Sequence, residues 1–203
     1  MEFSRLLTAI ANFMKVFTTP NKYDEKNINQ IVNSITRWTN SHKKHKLYTY
    51  KTKDVYKIEF GLAYEPEMAF EHRGIVLGKK NNLYYVVPIT TYNIKTYPNV
   101  YHPIDFPSGD IRFYLLKRDE YSDFLTHDSV VKCNDIKTVS YKRFSKTKLG
   151  NIKDDDFKYI LNNAHKLVFP TIDYKLNQEI QNYKYQVNEL TNEIQYLKSQ
   201  IYK

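Results

Sequence analysis

Gly74-Ile75-Val76-Leu77-Gly78-Lys79-Lys80-Asn81-Asn82-Leu83-Tyr84-Tyr85-Val86-Val87-Pro88-Ile89-Thr90-Thr91 is the stretch on which the fold turns. Two short apolar runs flank four polar residues, the pattern of a hairpin. Upstream, Val55-Tyr56-Lys57-Ile58-Glu59-Phe60 alternates in the manner of a half-buried strand. Downstream, Ile111 to Leu116 and Val130 to Val139 add more strand-like material. Asp154-Asp155-Asp156 then caps a helix with Phe157, Ile160, Leu161, Ala164, Leu167 and Val168 on one face, and Pro170 ends it. Residues 53–152 are therefore expected to form a closed or nearly closed antiparallel β-barrel, with the helix 154–169 packed against it.

The ends of the chain have a different texture. Phe3, Leu6, Leu7, Ile10, Phe13, Met14 and Phe17 fall at helical spacing, stopped by Pro20. Ile28, Ile31, Val32, Ile35 and Trp38 repeat the pattern over 24–41, and His42-Lys43-Lys44-His45-Lys46 reads as a basic hinge. At the other end, Leu176, Ile180, Tyr183, Val187, Leu190, Ile194, Leu197 and Ile201 alternate steps of four and three. That is a heptad seam with β-branched residues at a, and mainly Leu at d, a choice that favours a parallel two-stranded coil. Glu179 and Glu193 at g would face Lys184 and Lys198 at e of a second copy. A helix folded back on its own chain is the alternative. The division expected is a helical appendage at 1–46, a β-domain at 47–170 and a coiled-coil tail at 171–203.

Thirty-one Lys+Arg against 22 Asp+Glu give a formal charge of +9. An excess of cation favours a polyanionic partner, whether RNA, DNA or a membrane surface. The 19 Tyr and 11 Phe offer rings for base stacking, though an AT-rich genome would write the same composition. Cys133 is the sole cysteine, which excludes an intrachain disulfide and a Cys-based zinc cluster and suits a reducing cytoplasm. The six His show no paired-ligand spacing, so no metal or other cofactor is expected. No run reaches the roughly 18 apolar residues of a membrane span, and Met1 to Phe17 lacks a cleavage signature.

Glycine-rich phosphate loops are absent, with five Gly in all. Two stretches concentrate the remaining tools for polyanion chemistry. Glu71-His72-Arg73 places an acid, an imidazole and a guanidinium at a strand mouth, and Thr90-Thr91 ends a strand in two hydroxyls. Metal-free RNA cleavage needs a base for the 2′-hydroxyl, charge for the phosphorane and a proton for the leaving 5′-oxygen. Arg suits the second task through bidentate contacts.

Taken in order, these pieces resemble the MazF/PemK family of toxin endoribonucleases, over about residues 53–169. Asp54 to Phe60 resembles the opening strand, G-D-[IV]-x-x-[IV]-x-[FL] with Lys53 for its Gly. His72-Arg73-Gly74-Ile75-Val76-Leu77 resembles [HV]-R-P-x-[IVL]-[IVL], and Val87-Pro88-Ile89-Thr90-Thr91 resembles [VA]-x-[IC]-T-[ST]. Asp128 to Val139 resembles D-S-V-x-x-x-D-Q-[IV]-[RK]-[ST]-[IV], and Leu149-Gly150-Asn151-Ile152 the family's I-G-x-L before its closing helix.

The resemblance implies an α+β protein built on a small SH3-like antiparallel barrel. It implies sequence-specific cutting of single-stranded RNA without metal, leaving a 2′,3′-cyclic phosphate and a 5′-OH. The family Arg corresponds to Arg73 and the family Thr to Thr90, with His72, Thr91, Glu71, Lys95 and Lys137 as supporting or RNA-binding residues. Arg73 and Thr90 are expected to converge on one phosphate, gated by the loop Gly61 to Glu71. The expected partners are an antitoxin, protein or RNA, and a second copy through the barrel, the coil or both, in a toxin–antitoxin or phage-defence system. Gly74 in place of Pro, Asn134-Asp135 in place of Asp-Gln, and the long segment Tyr101 to Thr126 depart from the pattern. A non-catalytic dimeric RNA- or DNA-binding barrel and a coiled-coil regulatory protein are the competing readings.

Overall fold

The computed structural model describes residues 3–18, 25–41, 48–64 and 66–201; the expected stop at Pro20 and the basic hinge 42–46 lie outside them. Helices α1 (Phe3–Thr18) and α2 (Glu25–Ser41) come first. Strands β1 (Asp54–Glu59), β2 (Glu71–Lys80), β3 (Leu83–Thr91), β4 (Val100–Tyr101), β5 (Asp110–Leu116), β6 (Ser129–Lys132), β7 (Lys137–Ser140) and β8 (Phe144–Asn151) follow. Helices α3 (Asp154–Val168) and α4 (Pro170–Ile201) complete the chain.

All eight strands join one sheet in the order β4-β5-β6-β3-β2-β1-β8, with β7 paired to the first half of β3. The mixed α+β architecture is the one expected, but no strand pairing closes the sheet, and the two-residue β4 runs parallel to β5. The opening hairpin forms as read: β2 and β3 pair antiparallel around a turn in which Asn81 takes a positive φ of 57°, a conformation Asn tolerates better than most residues. Pro88 sits inside β3 because it falls between the ladders. β7 pairs as far as Val86, β6 begins at Ile89, and Pro88 has no partner on that side to miss its N–H.

Both faces of the central strands are buried, which explains why their sequences run apolar without a break. One face carries Val55, Ile75, Val87, Ile89, Tyr114 and Val131, packed under Phe157, Ile160 and Ala164 of α3. The other carries Tyr56, Ile58, Val76, Tyr84 and Val86, closed by an aromatic cluster in which Tyr50 stacks on Phe144 at 4.1 Å. Each such fully buried side chain contributes about 1.5–3 kcal/mol. The three Asp residues of α3 lie within its first turn, Lys153 being the N-cap, so they act on the helix dipole rather than as a side-chain cap. Asp156 also accepts hydrogen bonds from Tyr114 and Tyr121, two buried hydroxyls.

Pro170 ends α3 as read, and it also opens α4, where a missing N–H costs nothing. α4 is a single helix of 32 residues whose seam residues Leu176, Ile180, Tyr183, Val187, Leu190, Ile194 and Leu197 are each about half exposed. At the other end, α2 docks on the sheet. Its buried Ser34 donates to Glu59, and Arg37 bridges Glu59 at 3.0 Å and Glu71 at 3.4 Å.

Candidate active site

β2 starts at Glu71 and β3 ends at Thr91, so the residues singled out in the sequence meet at one edge of the sheet. The register sets Arg73 between Lys57 and Ile89, His72 opposite Ile58, and Thr90 opposite Val130. Continuing the β2–β3 register by one residue places His72 against Thr90. Cross-strand partners share a face and successive residues alternate. Arg73 therefore leaves on the face of Ile75 and Ile89, toward the α3 side. His72, Thr90 and, two residues on from Val130, Lys132 share the opposite face.

Arg73 and Thr90 stand at the ends of adjacent strands, one residue out of step across the β2–β3 pairing.

This second face groups an imidazole, a hydroxyl and an ammonium. Burial holds the His72 imidazole below its usual pKa, and the nearby Lys132 ammonium adds to that, while Glu59 and Glu71 work in the other direction. Neutral His72 is therefore the dominant form at pH 7. Neither His72 nor Arg73 has a hydrogen-bond or ion-pair partner among the described residues. The Tyr97 hydroxyl lies near Thr90, and burial holds its pKa above the usual tyrosine value. Lys132 is only 12% exposed and donates to the carbonyl of Pro66 at 2.8 Å.

The segment between β1 and β2 is tied across the same face. Met68 N–H donates to Asp135 at 2.6 Å, Lys137 pairs with Glu67 at 2.9 Å, and Lys132 holds Pro66. Phe70, at the base of this loop, takes a positive φ of 62°, rare for a bulky side chain and of a kind found where structure is held under strain. Lys137 thus serves to latch the loop rather than standing free. Glu71 is engaged by Arg37 of α2. Thr91 is exposed at the strand end opposite Ser129, and Lys95 is exposed in the following loop. Among the described residues no three His, Cys, Asp or Glu side chains gather as a metal site would require.

Residues 51–168 match the model of the PemK-like, MazF-like toxins of type II toxin–antitoxin systems. The chain belongs to this family. Solved structures similar to this MazF-like chain include MazF (Form-I) from Deinococcus radiodurans, at 13% identity and a TM-score of 0.44, covering 60% of this chain and 98% of that one. An endoribonuclease in complex with its cognate antitoxin from Mycobacterial species matches at 13% identity and a TM-score of 0.40, covering 59% and 95%. Mycobacterium tuberculosis toxin MazF-mt6 matches at 12% and 0.39, covering 57% and 95%. No curated protein matches the chain.

Two residues beside this strand edge escaped the sequence reading. Lys132 carried a usable signal: a lysine in the core strand Val130-Val131-Lys132-Cys133 must be held by something. Arg37 carried none, since only the fold brings it to the sheet edge. Arg37→Ala removes the cationic partner of Glu59, a carboxylate only 8% exposed. Because Arg37 is itself 41% exposed, the cost is set at about 1–2 kcal/mol. A fall in Tm of about 2–8 °C is expected in a thermal melt; an unchanged Tm would mean that α2 is not held through this pair.

Proposed function

We propose that this chain is a toxin-type endoribonuclease that cuts single-stranded RNA without metal, by attack of the 2′-hydroxyl on its own phosphate. The observation that carries the reading is the face at the β2–β3 edge. It places an imidazole, the Thr90 hydroxyl and an ammonium on a domain that belongs to a toxin family. Thr90 and Lys132 hold the scissile phosphate there, and the β1–β2 loop covers it. Lys132 donates to the Pro66 carbonyl and lies 3.7 Å from the Asp135 carboxylate, so a phosphate would share its ammonium with both. The formal charge of +9 draws the RNA in. The family description names type II toxin–antitoxin systems, which supports an antitoxin as partner; in this reading the chain works in the cytoplasm. No helix among the described residues is long and apolar enough to cross a membrane.

The test is incubation of the full chain with a long single-stranded RNA and with the same RNA annealed to its complement. Fragments from the single strand and none from the duplex are expected. A gel shift without fragments from either would replace this reading with the binding barrel.

The tail supplies the second copy. Parallel pairing of α4 buries the exposed seam and sets Glu179 against Lys184 and Glu193 against Lys198 of the partner helix. An antiparallel pair would bring g to g and e to e, like charge to like. Ile194→Asn should shift the chain from dimer to monomer by light scattering at micromolar concentration, since it puts a polar group into a seam of about four heptads. A wild-type chain that is monomeric at that concentration rules the tail dimer out.

A further inference from the structure

Two rungs of the β1–β2 ladder set like charges face to face. At the rung that ends the ladder, Glu59 stands opposite Glu71; one rung of the same face further in, Lys57 stands opposite Arg73. The pairing is regular from Val55 to Glu59, and residues two apart on a strand share a face, so all four lie on the side that carries Val55 and Ile75. Facing residues of an antiparallel pair keep their Cβ atoms about 4.5–5.5 Å apart, and like charges at that distance destabilise the sheet.

The acidic rung is neutralised from within. Arg37 of α2 reaches Glu59 at 3.0 Å and Glu71 at 3.4 Å, so one guanidinium serves both carboxylates. Ser34 and the N–H of Gly61 also donate to Glu59. The basic rung has no such counter-charge. Neither Lys57 nor Arg73 has an ion pair or a side-chain hydrogen bond among the described residues. The carboxylates diagonal to them are the two that Arg37 occupies. Ile89 stands on the far side of Arg73. On the far side of Lys57 the β1–β8 pairing is irregular between Tyr56 and Ile58, where Ser145-Lys146-Thr147 brings a further cation and no acid. Lys57 is exposed and Arg73 partly exposed, so the rung opens to solvent.

We propose that Lys57 and Arg73 form a two-cation clip that holds one phosphate of the RNA chain. The proposal deepens the endoribonuclease reading above and rests on it for naming the ligand. A phosphate carries the charge that the rung lacks. Its non-bridging oxygens meet the guanidinium fork and the ammonium at once. The rung lies where β2 begins, beside the residues of the candidate site, so a strand bound at that edge passes over the clip. Lys57 falls at an unspecified position of the opening-strand pattern, so motif reading passed over it. Only the ladder shows that it faces Arg73.

The test is binding of a single-stranded 2′-O-methyl oligonucleotide, which cannot be cut. It uses the full chain, Lys57→Gln, Lys57→Glu, Lys57→Arg, Arg73→Gln and the double variant Lys57→Gln/Arg73→Gln, over about 50–300 mM salt. Lys57→Gln should weaken binding at low salt by about two- to fivefold, as for an exposed ion pair. Lys57→Glu should weaken it further, and Lys57→Arg should restore it. The double variant should lower the slope of log affinity against log salt by about 0.7, the share of one phosphate on a single strand. Without RNA, Lys57→Gln should melt no lower than wild type, because it removes a facing like charge. A lysine that serves the fold would give the opposite result.

The clip is overturned if Lys57→Gln binds as wild type with an unchanged slope, which would leave the rung to an acidic group of a partner protein. It is overturned equally if Lys57→Glu binds no worse than Lys57→Gln, if Lys57→Gln melts lower, or if the double variant loses about 1.4 in slope, the share of two separate phosphates. Cleavage of single-stranded RNA by the wild type, scored in parallel, separates the two claims. A chain that binds with these dependences and cuts nothing keeps the clip and loses the ribonuclease reading. One that cuts, while Lys57→Gln binds as wild type, keeps the reading and loses the clip.

Discussion

Thr90→Val is expected to lower the rate of RNA cleavage by about 10²–10³-fold while the protein stays folded. The figure is the usual loss when one preorganised donor to a developing oxyanion is removed. Valine keeps the β-branched shape, so the pairing of β3 with β6 through Val130 should persist. What disappears is the hydroxyl. Single-turnover cleavage measures the loss. Tyr97→Phe, which keeps the threonine and removes only a neighbouring hydroxyl, should cost less. A Thr90→Val rate within tenfold of wild type would take the threonine out of the site.

Asp156→Ala should be the most damaging change away from the site. Tyr114 is fully buried and Tyr121 is 3% exposed, and both hydroxyls donate to this one carboxylate. Hydrogen bonds to a charged acceptor contribute about 1.5–3 kcal/mol each, so losing both costs about 3–6 kcal/mol. This also removes the link that fastens the first turn of α3 over the sheet. Urea unfolding reads the difference directly. Asp156→Asn, whose amide oxygen still accepts, should fall between the two. A loss under about 1 kcal/mol for the alanine variant would show that the hydroxyls find other partners.

How far the sequence could be read depended on whether a feature was local. The β2–β3 hairpin and the helices are written in neighbouring residues, and they stand where expected. β8 was passed over as a strand because Ser145-Lys146-Thr147-Lys148 is polar and largely exposed at the end of the sheet, where burial imposes no apolar alternation. Closure of the sheet was overestimated for a related reason, since short alternating runs show strands without showing which edges meet.

The site shows the same limit more sharply. Motif order brought His72, Arg73 and Thr90 to one strand edge, which is where they are. Which of His72 and Arg73 faces Thr90 depends on a register offset of one residue, and such an offset exchanges the faces of a whole strand. Gly74 helps fix that register. A Cβ there would lie 2.7 Å from the Ile58 side chain, so this position has to be bare while His72 and Val76 flank it on the same face.

The central claim is metal-free cleavage by the 2′-hydroxyl, and the ends of the RNA fragments report on it most directly. The full chain is incubated with single-stranded RNA in excess EDTA, and the termini are then probed. Fragments with 2′,3′-cyclic phosphate and 5′-OH ends, formed at an undiminished rate, are the predicted result. Fragments with 3′-OH and 5′-phosphate ends, or activity that disappears with EDTA and returns with a divalent cation, would contradict the account.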